Sequence, residues 1–156
     1  MKKKWILSSI IVIALIYGLY AYHRPNYVEL SFNSMIFSMD SDFEQSTIVS
    51  MKGDHYRSLL GNGMFLGELS VDEDLKYNVK LTKGRKSYED IITTWDSNKN
   101  TIIIGYVEVS HELDKVWIQL DDINERYSLS EGHVAGPASA SIEEKQISSK
   151  IVDGIK

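Results

Sequence analysis

The chain has 156 residues, 43% hydrophobic and 25% charged, a composition that argues against disorder and indicates one small globular domain. Its 17 basic and 22 acidic side chains give a formal net charge of −5. That balance disfavours nucleic acid as a partner, because phosphate must be neutralised by Lys and Arg. The absence of cysteine excludes disulfides, thiolate metal sites, cysteine nucleophiles and attachment through a lipidated cysteine.

Residues 1–24 are predicted to be a membrane anchor. Three lysines precede an uncharged run, residues 5–22, which would be about 27 Å long as a helix and would match the hydrocarbon core of a bilayer. Aromatic side chains that suit the headgroup level lie towards its two ends: Trp5, Tyr17, Tyr20 and Tyr22. The lysines predict a cytoplasmic N-terminus and an extracytoplasmic body, in a single-pass protein of the cell membrane.

A cleaved signal peptide is the alternative interpretation of the same segment. Cleavage needs small residues at the third and first positions before the cut. A cut after Ala21 would place Leu19 at the third position, and a cut after Gly18 would place Ile16 there. Both positions are poorly filled, so the sequence favours a retained signal anchor with the lipid bilayer as its partner.

Residues 25–156 are predicted to form one extracytoplasmic, mainly β domain. Pro25 disfavours continuation of the helix, and alternating apolar residues follow it. The clearest signal is a hairpin of residues 64–71 and 75–81 around the acidic triplet 72–74. Further strands are predicted at 27–32, 35–37, 48–51, 91–95, 101–109, 116–120, 127–129 and 133–135. We expect an antiparallel sheet, a sandwich or a small open barrel.

The end of the chain changes from strand to helix periodicity. Ser141 can cap a helix, and Glu143 and Glu144 suit its first turn. Ile147 and Ile151 are four residues apart and fall on one helical face. These signals predict a C-terminal helix over about residues 141–152.

The order of these strand and turn motifs is similar to that of one group of exported proteins. The motifs are Phe65-x-Gly67-x-Leu69-x-Val71, Tyr77-x-Val79-x-Leu81, Gly105-Tyr106-Val107-x-Val109-Ser110, Val116-x-Ile118-x-Leu120, Gly136-Pro137-Ala138-Ser139 and Glu143-Glu144. Over roughly residues 64–147 they resemble small exported proteins of Gram-positive bacteria, which are lipoproteins or membrane-anchored proteins with one β-rich domain. This chain departs from the lipoproteins because it has no lipid-carrying cysteine. The resemblance implies a β-rich domain and no particular activity.

Alternate carboxylates at Asp40, Asp42 and Glu44 form a candidate metal site. On an extended segment they point the same way, and carboxylate oxygens suit calcium. The glycine and the distal glutamate of an EF-hand loop are missing, so a solvated acidic edge is the simpler interpretation. No metal or other cofactor is predicted.

Three aromatic residues in predicted strands are candidates for a binding patch: Trp95, Tyr106 and Trp117. Burial in the core is the competing interpretation, because large aromatic side chains dominate core packing. The serines lack the spacing of a nucleophile elbow, and the four histidines lack ligand spacing. No catalytic residue is therefore predicted.

Taken together, the sequence predicts a membrane-anchored extracytoplasmic domain that binds an envelope protein or a cell-wall component and is not an enzyme. One alternative is a calcium-dependent or enzymatic module whose acidic residues converge in space. Another is an accessory subunit that docks through its transmembrane helix.

Overall fold

The computed structural model describes the backbone of residues 2–58 and 63–137, and the side chains of residues 10–58 and 63–137. The first element is the helix α1 (Lys2–His23). The first four strands are β1 (Asn26–Ser38), β2 (Glu44–Tyr56), β3 (Met64–Val71) and β4 (Leu75–Lys83). They are followed by β5 (Ser87–Trp95), β6 (Thr101–Ser110), β7 (Val116–Leu120), the helix α2 (Asp121–Tyr127) and β8 (Gly132–Gly136).

The strands form a closed antiparallel barrel in which each strand pairs with the next along the chain. Closure comes from β8, which returns to β1 with Ile36 opposite Val134 and Phe37 opposite His133. The predicted sandwich or open barrel is therefore wrong, although the chain is mainly β. Alternation of apolar and polar residues predicts which side chains share a face of the sheet, but it does not predict that the first and last strands pair.

The barrel is filled by apolar side chains that alternate along the strands. The large side chains that are fully buried are Phe37, Phe65, Ile36, Met51, Leu69, Leu81, Ile118, Leu120, Ile123, Val49 and Val71. All of these except Phe37 belong to the inner core, and Ile123 brings α2 into it. Each such side chain contributes about 1.5–3 kcal/mol relative to exposure. The interior is thus a packed core.

Two glycines allow β2 and β3 to approach each other closely. Gly53 lies directly opposite Gly67. A Cβ on Gly53 would lie 2.2 Å from the Leu66 carbonyl oxygen, and one on Gly67 would lie 2.2 Å from the Lys52 carbonyl oxygen. Neither position therefore has room for a side chain.

The predicted hairpin of residues 64–71 and 75–81 is confirmed as β3 and β4, which pair from Val71–Leu75 to Met64–Thr82. Asp72 and Glu73 have φ values of 55° and 66° in its turn, the left-handed conformation that tight hairpin turns require. The strand predicted at residues 127–129 is wrong. The short helix α2 ends at Tyr127, and Ser128 follows it in a left-handed conformation.

The N-terminal prediction requires a correction. Within residues 10–58 and 63–137, whose side chains the structure describes, no helix is long and apolar enough to cross a membrane. Three predictions are therefore wrong: the transmembrane signal anchor over residues 1–24, the single-pass topology and the location in the cell membrane.

Of the aromatic residues predicted to anchor that segment, Tyr17, Tyr20 and Tyr22 are all exposed. The side chain of Trp5 lies outside the described residues. The C-terminal helix predicted over residues 141–152 also lies outside them.

Candidate functional site

Part of the β5–β6 hairpin extends beyond the strands that flank it. β4 pairs with β5 only at Thr82–Glu89 and Lys83–Tyr88, and β7 pairs with β6 only over residues 105–109. Residues 90–95 and 101–104 therefore form a two-stranded ribbon, which we call the ribbon. Its two outer edges have no strand partner among the described residues. A register shift between Ile92 and Thr93 marks a bulge where the ribbon leaves the barrel.

One face of the ribbon carries large apolar side chains in solvent. Ile91 is paired with Tyr106, and Thr93 with Ile103, so these residues share a face with Trp95. Ile91 is 54% exposed, Ile103 65% and Trp95 70%, while Tyr106 is partly buried. We call Ile91, Trp95, Ile103 and Tyr106 the ribbon face. A contiguous exposed apolar patch of this kind marks an interaction surface.

A groove of about 340 Å³ runs between the ribbon and the end of β7. Its lining residues are Ile91, Ile103, Gly105, Tyr106, Gln119 and Asp121. Gly105 brings the two strands together here, because a Cβ at that position would lie 2.5 Å from the Gln119 carbonyl oxygen. The groove therefore joins apolar walls to a small number of polar groups, as ligand sites generally do.

The surroundings of the groove are acidic. Asp121 lies at its end, where α2 begins. Asp90 lies where β4 and β5 separate, and its Oδ2 accepts a hydrogen bond of 2.7 Å from the Lys80 backbone N–H. Asp96 closes the turn at the ribbon tip, because its Oδ1 accepts hydrogen bonds from the backbone N–H groups of Asn98 and Asn100. The Asn100 contacts lower the pKa of the Asp96 carboxyl, so it is charged at neutral pH.

Tyr106 connects the groove to a second group of aromatic side chains. Its ring centroid lies 5.9 Å from that of Trp117, in an edge-to-face arrangement. Burial, followed by the charges of the nearby carboxylates Glu108 and Glu89, raises the pKa of the Tyr106 phenol to about 12. The phenol is therefore protonated at neutral pH, and it forms a side-chain hydrogen bond with Glu89.

The second group lies on the outer surface of the barrel, and we call it the outer aromatic cluster: Phe37, Trp117, His133 and Ala135. The Trp117 and His133 rings are stacked with centroids 5.2 Å apart, and Phe37 lies 5.7 Å from His133. Burial lowers the pKa of the His133 imidazole, which is therefore neutral at pH 7. The Nδ1 of His133 and the Nε1 of Trp117 are buried without a hydrogen-bond partner among the described residues.

The structure brings two of the three predicted binding aromatics into contact. Tyr106 and Trp117 pack together, whereas Trp95 lies at the far end of the ribbon. Sequence reasoning missed Ile91 and Ile103, because an isoleucine in a strand is normally a core residue. One signal was available: three consecutive isoleucines over residues 102–104 cannot all face the interior of a β-strand.

The predicted acidic candidates do not converge. Asp40 accepts hydrogen bonds from the hydroxyls of Ser38 and Ser130, while Asp42 and Glu44 are exposed. Within residues 10–58 and 63–137, no three His, Asp or Glu side chains are grouped so that they could hold a metal ion.

Comparisons with protein-family models, with curated proteins and with solved structures find no match to this chain. The ribbon face and its groove are therefore the basis for assigning a function.

Proposed function

We propose that this domain binds an extended segment of a partner protein along the ribbon face and performs no chemistry of its own. One observation carries the proposal: large apolar side chains are exposed on a ribbon whose edges are unpaired among the described residues. Ile91, Ile103 and Trp95 are each more than half exposed. A monomeric domain gains nothing from holding these three side chains together in water, whereas a binding surface uses them directly.

The mode of binding that fits this surface is β-strand addition. Residues 101–104 of β6 extend past the end of β7, so their outward backbone groups are available for pairing beside the groove. An added strand forms main-chain hydrogen bonds, and its alternate side chains enter pockets on one face. The apolar walls contributed by Ile91 and Ile103 would receive those side chains. The Gln119 amide, which lines the groove, supplies a polar group that fixes the register of the added strand.

Charge indicates the chemistry of the partner. Asp121 lines the groove, Asp90 and Asp96 lie on the ribbon together with Lys99 in its turn, and the chain as a whole carries −5. Complementary charge steers association and suppresses wrong partners. The favoured segment is therefore apolar at alternate positions and has Lys or Arg beside them. A second copy of this chain is a poorer partner, because an isologous contact would bring the same carboxylates together.

The test is a selection from a displayed peptide library against the purified full chain, followed by fluorescence anisotropy on the enriched peptides. We expect enrichment of basic, alternately apolar sequences. Ile103→Lys should weaken their binding at least about 10-fold, which corresponds to about 1.4 kcal/mol. The matched control is Ile48→Lys, because Ile48 is also an exposed strand isoleucine, at 47%, but lies on β2.

Three outcomes would contradict the proposal. They are the absence of any enriched peptide, equal weakening by Ile103→Lys and Ile48→Lys, and binding to neutral lipid vesicles through the ribbon face in place of peptides. Turnover of a substrate by the purified chain, lost on a point mutation, would contradict the absence of chemistry.

A further inference from the structure

The two ends of the barrel differ in charge. Residues 72–74 in the β3–β4 turn are all acidic, and α2 at the same end contains three acidic residues and one basic residue. At the opposite end, β2 and β4 finish and β5 begins. We call it the basic end, because its connecting segments set the acidic residues Glu112 and Asp114 against a larger group of basic ones: Arg24, Arg57, Arg85, Lys86 and Lys115.

A pocket of about 500 Å³ lies at the basic end, between the last turn of α1 and the adjacent ends of β1 and β2. Arg24 and Arg57 line it together with Tyr22 and Tyr27. No described residue in its lining is acidic, and Asp54, which lies opposite Tyr27 on β2, is not part of it. The volume falls within the range of small-molecule sites, and the charged groups of the described lining are both guanidinium groups.

The two arginines of the pocket have no acidic partner in the part of the chain that the structure describes. Arg126 shows the contrast, because its guanidinium donates two hydrogen bonds of 2.7 Å to the Asp74 carboxylate. A positive charge suits the last turn of α1, but a single arginine would meet that need. Since like charges in one pocket repel each other, an anion that binds between them is attracted by both and relieves the repulsion.

The charge of Arg57 also acts on the neighbouring strand ends. Burial, followed by the charges of Arg57 and Lys83, lowers the pKa of the His55 imidazole. The Nε2 atom of His55 lies 2.8 Å from the Tyr88 hydroxyl oxygen, so it already has a hydrogen-bond partner. His55 is therefore neutral at pH 7, and the positive potential beside the pocket comes from the guanidinium groups and Lys83.

We propose that this pocket binds a small organic phosphate, namely a phosphate monoester attached to a ring. The two guanidinium groups match the charge of about −1.5 to −2 that a monoester carries at pH 7. The planar fork of an arginine suits two parallel hydrogen bonds to phosphate oxygens. Tyr22 is 42% exposed and Tyr27 65%, so their faces are open to the ring. The pocket shares no residue with the ribbon face, and the proposal does not depend on the function assigned to that face.

The probe is phenyl phosphate, which joins a ring to a phosphate monoester, in an NMR titration of the ¹⁵N-labelled full chain at constant ionic strength. We expect millimolar phenyl phosphate to shift the backbone amides of Asn26 and Tyr27 and the guanidinium N–H signals of Arg24 and Arg57. Inorganic phosphate should shift the same signals with weaker affinity, and phenol should not shift them. The amides of residues 101–104 on the ribbon should not move.

Substitutions separate the pocket from the general charge of the basic end. Arg24→Gln and Arg57→Gln should each weaken phenyl phosphate binding at least about 10-fold, because each removes charge-assisted hydrogen bonds. The matched control is Arg85→Gln, which removes the same charge from an exposed residue outside the pocket lining. It should change the affinity less than about 2-fold, because solvent and salt screen exposed charges. Tyr27→Leu should weaken binding of phenyl phosphate and leave that of inorganic phosphate unchanged.

The proposal would be overturned by the absence of shifts with both phosphates, by equal weakening in Arg57→Gln and Arg85→Gln, or by equal shifts with phenol and phenyl phosphate. Binding to phosphatidylglycerol vesicles without a response to either soluble phosphate would also overturn it, in favour of a lipid headgroup. The titration of the natural chain locates the site even where a variant unfolds.

Discussion

Asp72 connects the β3–β4 turn to α2 through hydrogen bonds. Replacing it by Asn tests how much these contacts stabilise the barrel. Its Oδ2 accepts hydrogen bonds from the Tyr127 hydroxyl at 2.6 Å and from Arg126 Nη1 at 3.0 Å. Its Oδ1 accepts a hydrogen bond from the Thr47 hydroxyl at 3.1 Å. Asn tolerates the left-handed backbone that this turn position requires, so the substitution removes the charge and leaves the turn conformation unstrained.

The expected loss of stability follows from these three contacts. A net contribution of about 0.5–1.5 kcal/mol is typical of one hydrogen bond, and Asn retains part of the acceptor capacity. The Asp72 side chain is 24% exposed, so solvent screens its ion pair with Arg126. We therefore expect Asp72→Asn to lower the free energy of unfolding by about 1–2 kcal/mol, which is about 2–8 °C in Tm for a chain of this size.

The pH dependence of Tm shows how much of the effect of Asp72→Asn comes from losing the charge of the carboxylate. The Tyr127 and Arg126 hydrogen bonds hold the pKa of the Asp72 carboxyl below its ordinary value. A carboxyl with a depressed pKa in the folded state stabilises the fold above its unfolded pKa of about 3.9. That contribution disappears as the pH falls through the folded pKa. The difference in Tm between the natural chain and Asp72→Asn should be full at pH 7 and should shrink below about pH 4.

Calorimetry between pH 7 and pH 3 measures the Tm difference between the natural chain and Asp72→Asn and its dependence on pH. The control is Asp42→Asn, which removes the charge of an exposed aspartate and should leave Tm within about 1 °C, in line with small effects of surface substitutions. A Tm difference for Asp72→Asn that is equally large at pH 7 and pH 3 would refute the electrostatic reasoning. No difference at pH 7 would refute the structural role of the turn contacts.

Three further predictions concern the barrel. Gly67→Ala should cost about 1–3 kcal/mol in urea unfolding, because its Cβ would overlap the opposite strand. Gly18→Ala should not destabilise the chain, because nothing lies within 4 Å and Ala favours the helix α1. Equal effects would contradict the close approach of β2 and β3. Tyr77→Phe should cost about 1–2 kcal/mol in the same assay, since it removes a hydrogen bond of 2.5 Å to the Asp122 carboxylate; an unchanged midpoint would contradict it. Acidification from pH 7.5 to 5.5 should lower Tm, because burial lowers the pKa of His133 and the unfolded chain therefore binds the proton more readily. His133→Phe should reduce this fall in Tm. An equal fall in Tm for the natural chain and the variant would contradict the prediction.

The elements that could be predicted from the sequence are those whose signals are local. The hairpin of residues 64–81 was predictable because two alternating stretches flank an acidic turn, and both the pairing and the turn depend on neighbouring residues. Closure of the barrel was not predictable in this way. It depends on β1 meeting β8, and alternation within either strand is the same in an open sheet.

The site was predictable only in part, for a related reason. Trp95 and Tyr106 were identifiable as strand aromatics, but the exposure of Ile91 and Ile103 depends on where the neighbouring strands end. β4 leaves β5 after two residue pairs, and no local signal in residues 87–95 indicates that. The helix α2 was missed because it spans only 7 residues, too few for helix periodicity to appear.

The most direct test of the proposed binding surface is an NMR titration of the ¹⁵N-labelled full chain with an enriched peptide. Strand addition to β6 predicts that the largest shifts occur in the backbone amides of residues 101–104, with intermolecular contacts to the side chains of Ile91 and Ile103. The amide of Ile48 on β2 should not shift. Peptide contacts that lie elsewhere on the barrel, with the amides of residues 101–104 unmoved, would contradict the ribbon face as the binding surface.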